Sequence, residues 1–412
     1  MAQELDRFFG TRLAMSRILV LVISGYLISF TAQADLSVDL PFVEKLKAPD
    51  HSWVWVIDGV GDFTKSRLFD TTNGKMLGML STGYWSGGLV LPSGGRDIYA
   101  IQTHYSRSTR GERTDILAIY DPQTLLPKGE IEIPPRRMSG LIQKGLSSVT
   151  ADNNFLVVQN FTPAQSISII DLSNQRFVAE IESPGCTGVY ANSSVTFSAI
   201  CGDGSLMWVQ MNASGNVIDK GFTEPFFDSY EDPVAADGVR VDDQWLYASH
   251  NGYVYPVDVS DIVPVAAERW SFLSDQERAA GWRFGGFNHI NAHPQSRRLF
   301  ILMQDGGEDS YEEPGTEVWV FDIDSHERVA RFELEHMAMG LEVSLEDKPH
   351  LYTSAVVFPI PTWAVVMLAV FGHESSLMDI ADFGLDIYEA ETGELERTIE
   401  NVTSTPTLMQ GW

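Results

Sequence analysis

One short pattern recurs along this chain: an apolar strand, an aspartate or a substitute for it, a polar turn, and a second strand. In its clearest copy Asp115 to Tyr120 is an apolar run, Asp121–Pro122 opens a turn, and Gly129 to Ile133 alternates apolar and polar as a half-buried strand does. Further copies lie at Leu68–Thr82, Ile169–Ser183, Tyr255–Trp270, Val320–Leu334 and Ile387–Glu400, and a degenerate one at Trp208–Gly221 has Met211 in the aspartate place. The turn-opening positions are Asp70, Asp121, Asp171, Met211, Asp258, Asp322 and Glu389, separated by 51, 50, 40, 47, 64 and 67 residues. Four short strands with their turns occupy roughly 40–50 residues, the period of a propeller blade. The spacing therefore predicts an all-β chain, a seven-bladed β-propeller forming a single domain. A long sandwich would also hold seven hairpins, but it explains the regular spacing less well.

The 412 residues are 44% hydrophobic, ample for a large core. Helix-period segments are nearly absent, and Val, Ile, Tyr, Phe and Trp are spread evenly. At the N-terminus Arg12 and Arg17 flank Met15, Ile18 to Phe30 is almost wholly apolar, and Ala32-Gln33-Ala34 is a small-x-small cleavage site. This reads as a signal peptide over residues 1–34, more compact if translation starts at Met15. The apolar stretch is short for a membrane span, so no transmembrane anchor is expected after cleavage. The mature propeller would run over residues 35–412 in an exported, periplasmic protein. An uncleaved anchor is the other reading of the same segment.

The formal charge is −28. Cleavage after Ala34 removes Arg7, Arg12 and Arg17 with Glu4 and Asp6, which takes it to −29. Such a chain repels phosphate backbones, so nucleic acid is not an expected partner. The chain has two cysteines, Cys186 and Cys201. In an exported protein they read as one disulfide across adjacent strands.

Several stretches stand outside the repeat. Trp85 to Gly95 holds two tight glycine-bearing loops around a short apolar strand. Arg107, Arg110 and Arg113 form a small basic run, ordinarily a solvated loop, although arginine forks suit carboxylate recognition at an interface. Pro134 to Arg137 ends the second repeat. Ser274 with Glu277 three residues on, then Ala279, Ala280 and Gly281, predicts one short capped helix inserted between blade strands. Asp305 to Glu313 is an acidic loop. Residues 355–371 carry no charge and two prolines; they read as buried strands, a packed insertion or an exposed apolar patch.

A self-contained active site does not emerge. There is no G-x-S-x-G elbow, no phosphate-binding G-x-x-x-x-G-K-[ST] loop, no C-x-x-C and no haem attachment motif. His289 and His293 are four apart, but ligand pairing at that spacing needs a helix, and their surroundings read as strand and turn. No metal site is expected.

Ser106–Asp115 (SRSTRGERTD) followed by Tyr120–Pro127 (YDPQTLLP) resembles the heavy (α) subunit of methylamine dehydrogenase and its aromatic amine dehydrogenase relatives. Similar too are the run from Asn73 to Leu80 with Gly83-Tyr84 after it, the Cys186…Cys201 pair followed by Asp203 to Leu206, and Glu277 to Ala279 followed by Gly281 to Arg283 and Gly285-Gly286. The resemblance spans about residues 50 to 400 and implies a seven-bladed propeller with a disulfide. It also implies that this chain carries no redox cofactor. Tryptophan tryptophylquinone would sit on a small, cysteine-rich light subunit, two heavy chains would assemble with two light chains, and electrons would leave to a periplasmic cupredoxin, amicyanin- or azurin-like. An aromatic residue after the first repeat lines the substrate channel in that family, and the matching position is Tyr84. Tyrosine replaces the family's phenylalanine there, and Trp85-Ser86-Gly87-Gly88 replaces a proline-containing loop. Arg107, Arg110 and Arg113 are then candidate contacts to the light subunit. The rival reading is a free-standing exported propeller that binds a ligand or protein without redox chemistry.

Overall fold

The computed structural model describes residues 44–412, except 59–63, 86–87, 139, 141–142, 308–309, 311, 359, 361–363, 365–366, 369–380 and 404–405. The expected signal segment, residues 1–34, lies outside the described residues.

Each hairpin of the repeat is the outer half of a four- or five-stranded antiparallel sheet, and seven such sheets form the blades of a propeller. Blade one is built from both ends of the described chain. Trp53–Asp58, Lys65–Asp70 and Lys75–Ser81 are joined by the C-terminal strand Pro406–Gly411, which pairs with Trp53–Asp58 as the innermost strand. Blades two to four follow with Leu89–Val90 to Pro127–Ile133, Ser147–Val149 to Arg176–Glu182, and Cys186–Ala191 to Val217–Phe222. Blades five and six carry an extra short strand each, and Leu341–Val343 to Leu395–Thr403 make blade seven.

The apolar residues of the central strands face neighbouring blades, so the core lies between sheets. One buried cluster joins Val254 and Trp270 of blade five to Ile301 and Trp319 of blade six; another joins Val157 and Ile169 of blade three to Phe197 and Val209 of blade four. Burying side chains of this size contributes about 1.5–3 kcal/mol each. The ring is also tied at its centre. The Glu342 carboxylate accepts from Lys144 Nζ, from Asn291 Nδ2 at 2.6 Å and from the Gly411 backbone N–H at 3.0 Å. The Gln410 side chain meets both the N–H and the C=O of Leu89.

The turn-opening residues act as expected for such turns. Asp70, Asp121, Asp171, Asp258 and Asp322 each accept a backbone N–H two or three residues on, and Glu389 accepts from Thr392. At the degenerate copy the neighbour of Met211 takes over, with Asn212 Oδ1 accepting from Ser214 and Asn216.

The uneven spacing also has a local cause. The separation of 40 falls where blades three and four are joined by little more than Ser183 to Gly185. The separation of 64 includes the helix Asp275–Ala279, capped reciprocally by Ser274 and Glu277, which is the helix expected from sequence. The separation of 67 includes the apolar segment. Its first residues, Ala355 to Val357, complete the strand His350–Val357, and most of the remainder falls outside the described residues.

Candidate functional site

In every blade the loop from second to third strand leaves from the same end as the connection to the next blade. That end carries Gly83 to Trp85, the hairpin tip at Arg107 and Arg110, Pro134 to Met138, residues 223–238, the helix Asp275–Ala279 and Asp305 to Gly307. The opposite end carries mostly short turns, including those opened by the seven repeat markers. The long segments are thus gathered on one face.

On that face one hairpin outgrows its blade. Strands Ile98–Arg107 and Arg110–Tyr120 pair from Ile98↔Tyr120 out to Arg107↔Arg110. Their flanking strands stop short: Leu89–Val90 reaches Tyr99 and Ala100, and Pro127–Ile133 pairs with Asp115 to Tyr120. His104 to Thr114 is therefore a two-stranded ribbon beyond the sheet. Arg107 and Arg110 are exposed at its tip. Arg113 turns inward instead, donating from Nε and Nη2 to the Asp115 carboxylate at 2.9 and 2.7 Å and from Nη2 to the Arg137 carbonyl at 2.8 Å. Asp115 beside it holds the Arg113 guanidinium above its ordinary pKa, against the effect of burial.

Tyr84 stands at the ribbon's root. Its ring meets Tyr105 edge-on at 5.4 Å between centroids and Trp85 at 6.5 Å, and its backbone N–H donates to the Thr103 carbonyl at 3.0 Å. Gly83 before it has φ +81, and a Cβ there would lie 3.0 Å from the Thr103 carbonyl, so the approach of the two segments needs glycine. Trp85 after it has φ 44, in the left-handed region that bulky residues avoid. Tyr84 and Trp85 are both half-buried.

Beneath this turn lies Arg137, only 2% exposed. It donates from Nε to Thr103 Oγ1 at 2.7 Å, from Nη1 to the Met138 carbonyl at 2.9 Å, and from Nη2 to the carbonyls of Tyr84 and Trp85 at 2.7 and 2.9 Å. Its backbone N–H and the Thr103 hydroxyl both donate to Asp115, which is fully buried. Burial pushes the Arg137 guanidinium down to about 10, while Asp115 opposes that shift. At neutral pH it stays a cation. The geometry gives a half-exposed aromatic pair on a turn fixed by a buried charge, next to a projecting basic ribbon.

Sequence reasoning missed Arg137. In Pro134 to Arg137 nothing separates it from Arg136, whose side chain is exposed and pairs with Glu180. The one available signal was Asp115, a charge opening an apolar strand with Arg113 two residues earlier on the same face.

The two histidines have separate partners. His289 Nδ1 meets the buried Asp237 carboxylate at 3.1 Å, and burial of Asp237 is outweighed by His289 and its backbone N–H, so its pKa is lowered. His293 lies between Ser296 Oγ at 2.7 Å and the Glu346 carbonyl at 3.0 Å, its pKa lowered by burial. Among the described residues no group of three or more His, Cys, Asp or Glu is placed to hold a metal. Cys186 and Cys201, paired across the first two strands of blade four, are disulfide-bonded.

Residues 50–373 match the family model described as methylamine dehydrogenase heavy chain (MADH). This chain belongs to that family. The methylamine dehydrogenase heavy chain of Methylophilus methylotrophus is 28% identical over 312 residues, covering 74% of this chain and 76% of the relative. That of Paracoccus versutus is 26% identical over 376 residues, covering 90% and 82%. Among solved structures, a functionally unknown protein from Desulfotomaculum acetoxidans superposes with a TM-score of 0.56 at 11% identity, covering 87% of this chain and 98% of that one, which supports the fold alone. Membership in the methylamine dehydrogenase heavy chain family makes this chain a component of an amine dehydrogenase complex in the heavy-subunit role, with a light subunit as its partner. In this family the quinone cofactor belongs to the light chain.

Proposed function

We propose that this chain is the periplasmic heavy subunit of a quinoprotein amine dehydrogenase, assembled as two heavy and two light chains. The reaction is oxidative deamination: a primary amine and water give an aldehyde, ammonia and two protons, and two electrons leave one at a time to two molecules of a cupredoxin of the amicyanin or azurin kind. Tryptophan tryptophylquinone on the light subunit supplies the oxidation. This chain contributes shape and shielding.

The observation that carries the reading is the family match across 50–373, which covers all or part of every blade. The gathering of the long segments on one face supports placing the light subunit there. Tyr84, half-buried beside Trp85 and Tyr105, would line the amine's route. Arg107 and Arg110 at the ribbon tip would meet carboxylates on the partner, while Arg113 braces the ribbon from within. A two-stranded ribbon is marginal in water, so contact with a partner would stabilise it.

Amine-dependent dye reduction tests the reading. The isolated heavy chain should be colourless and inactive. Co-expressed with its light chain and the maturation enzymes, it should give quinone absorbance and dye-linked amine oxidation. Activity in the isolated chain would overturn the scaffold role, and a stable monomer whose host encodes no small cysteine-rich partner would favour a free-standing propeller.

A further inference from the structure

We infer that Arg137 is the positioning residue for the Tyr84–Trp85 turn, and that through this turn it sets which amines the assembled enzyme accepts. The inference rests on the proposal that Tyr84 lines the amine route. The geometry is specific to positioning. The two Nη2 bonds of Arg137 go to consecutive carbonyls, those of Tyr84 and Trp85, which flank the Cα of Trp85, where the backbone enters the left-handed region. A non-glycine residue at φ 44 persists only where its surroundings over-determine it. Gly83, the Thr103 carbonyl and Arg137 supply that determination from three directions.

The cation itself is held by elements far apart in the chain. Nε rests on the Thr103 hydroxyl, which donates in turn to Asp115 at 2.7 Å, and Asp115 is locked by the Arg113 fork. The ribbon and the Tyr84 turn therefore share one buried charge network. The planar guanidinium reaches all these acceptors at once, and a lysine ammonium cannot reproduce that fork. The same residue also joins blades, because its backbone bridges to Asn160 of blade three, so stability and positioning must be read separately. Two of the four side-chain bonds of Arg137 meet the backbone of the loop that carries the aromatic pair.

The experiment compares assembled heavy–light complexes carrying Arg137→Lys, Thr103→Val or Tyr84→Ala with the parent, reading kcat and KM for methylamine and for benzylamine and recording thermal midpoints alongside. In parallel, fluorine NMR on the 5-fluorotryptophan-labelled heavy chain follows the Trp85 resonance. Arg137→Lys and Thr103→Val should shift the methylamine-to-benzylamine ratio of kcat/KM by about ten-fold, mainly through KM, in the direction that Tyr84→Ala shifts it. The Trp85 resonance should move or broaden in both. If Tyr84→Ala alters the ranking while the other two lower only the midpoint, Arg137 is merely structural and the inference is overturned with the channel reading intact. If Tyr84→Ala leaves the ranking unchanged, the channel reading fails and takes this inference with it. Should Arg137→Lys not fold, Thr103→Val, which keeps the cation and removes one link, decides by the same criteria.

Discussion

Asp115 receives both arms of the Arg113 fork on one side and the backbone N–H of Arg137 on the other, so a single buried carboxylate serves two arginines. Such a group is worth most when it is removed. The pair taken together contributes little net stability, because desolvation offsets the attraction. A cation left without its counter-charge is a different matter. Asp115→Ala should therefore cost about 3–5 kcal/mol in denaturant unfolding, since the Arg113 fork loses both acceptors and the buried Arg137 loses its counter-charge. Asp115→Asn, which keeps the shape and one acceptor, should cost less. A loss below about 1 kcal/mol for the alanine variant would show that Arg137 relaxes into solvent and that the network is not rigid.

The contrast between Arg113, Arg136 and Arg137 also shows where sequence reasoning stops. The repeat was legible because a strand's alternation and a turn's aspartate are local: each marker residue bonds a backbone N–H within three positions, and Asn212 shows the chemistry surviving where Met211 breaks the pattern. The capped helix was legible for the same reason, and the cysteine pair because the chain has only two cysteines. Arg137 was not, because its four acceptors lie on Thr103, Met138, Tyr84 and Trp85, and only one of these is a near neighbour in sequence. Its burial follows from the packing of blade two against its links to blades one and three, which no short window of sequence contains. The ribbon shows the same divide: its arginines read as one basic run, but strand alternation sends Arg113 to the inner side while the tip carries Arg107 and Arg110 outward.

The turn carboxylates predict how the propeller responds to acid. Hydrogen bonds from Thr124 hold Asp121 below the ordinary aspartate value of 3.8, and those from Ser260 do the same for Asp258. Ser325 lowers Asp322, and Thr392 lowers Glu389 against its burial. A carboxyl whose folded pKa lies below its unfolded one favours folding above the unfolded value. That contribution is lost as pH falls through the folded value. The thermal midpoint should thus fall steeply below about pH 4 as these carboxylates are protonated. Asp258→Asn provides the check, because Asn212 already performs this turn in blade four. The variant should keep its midpoint near neutrality and lose part of the acid slope. An unchanged slope would rule out the turn at Asp258 as a contributor.

The disulfide of blade four gives a prediction of a different kind, since its effect falls on the unfolded chain. Cys186 and Cys201 face each other across the first two strands and close a loop of sequence separation 15. Constraining such a loop stabilises by roughly 3 kcal/mol in the chain-entropy model. Both sulfurs are buried in the cluster that joins blades three and four through Val157, Ile169 and Phe197. That packing is independent of the bond, so the blade should survive its loss. The Cys186→Ser/Cys201→Ser protein should fold with the same near-ultraviolet spectrum and unfold at lower denaturant, by about 2–4 kcal/mol. Serine adds two hydroxyls to a dry cluster, so Cys186→Ala/Cys201→Ala separates that polar cost from the loss of the link: it should retain most of the deficit. If the alanine pair is as stable as the parent, the bond contributes nothing and the serine effect is one of burial alone. Mass mapping of the purified protein without reductant should find the two cysteines joined, and free thiols at both positions would contradict the bond.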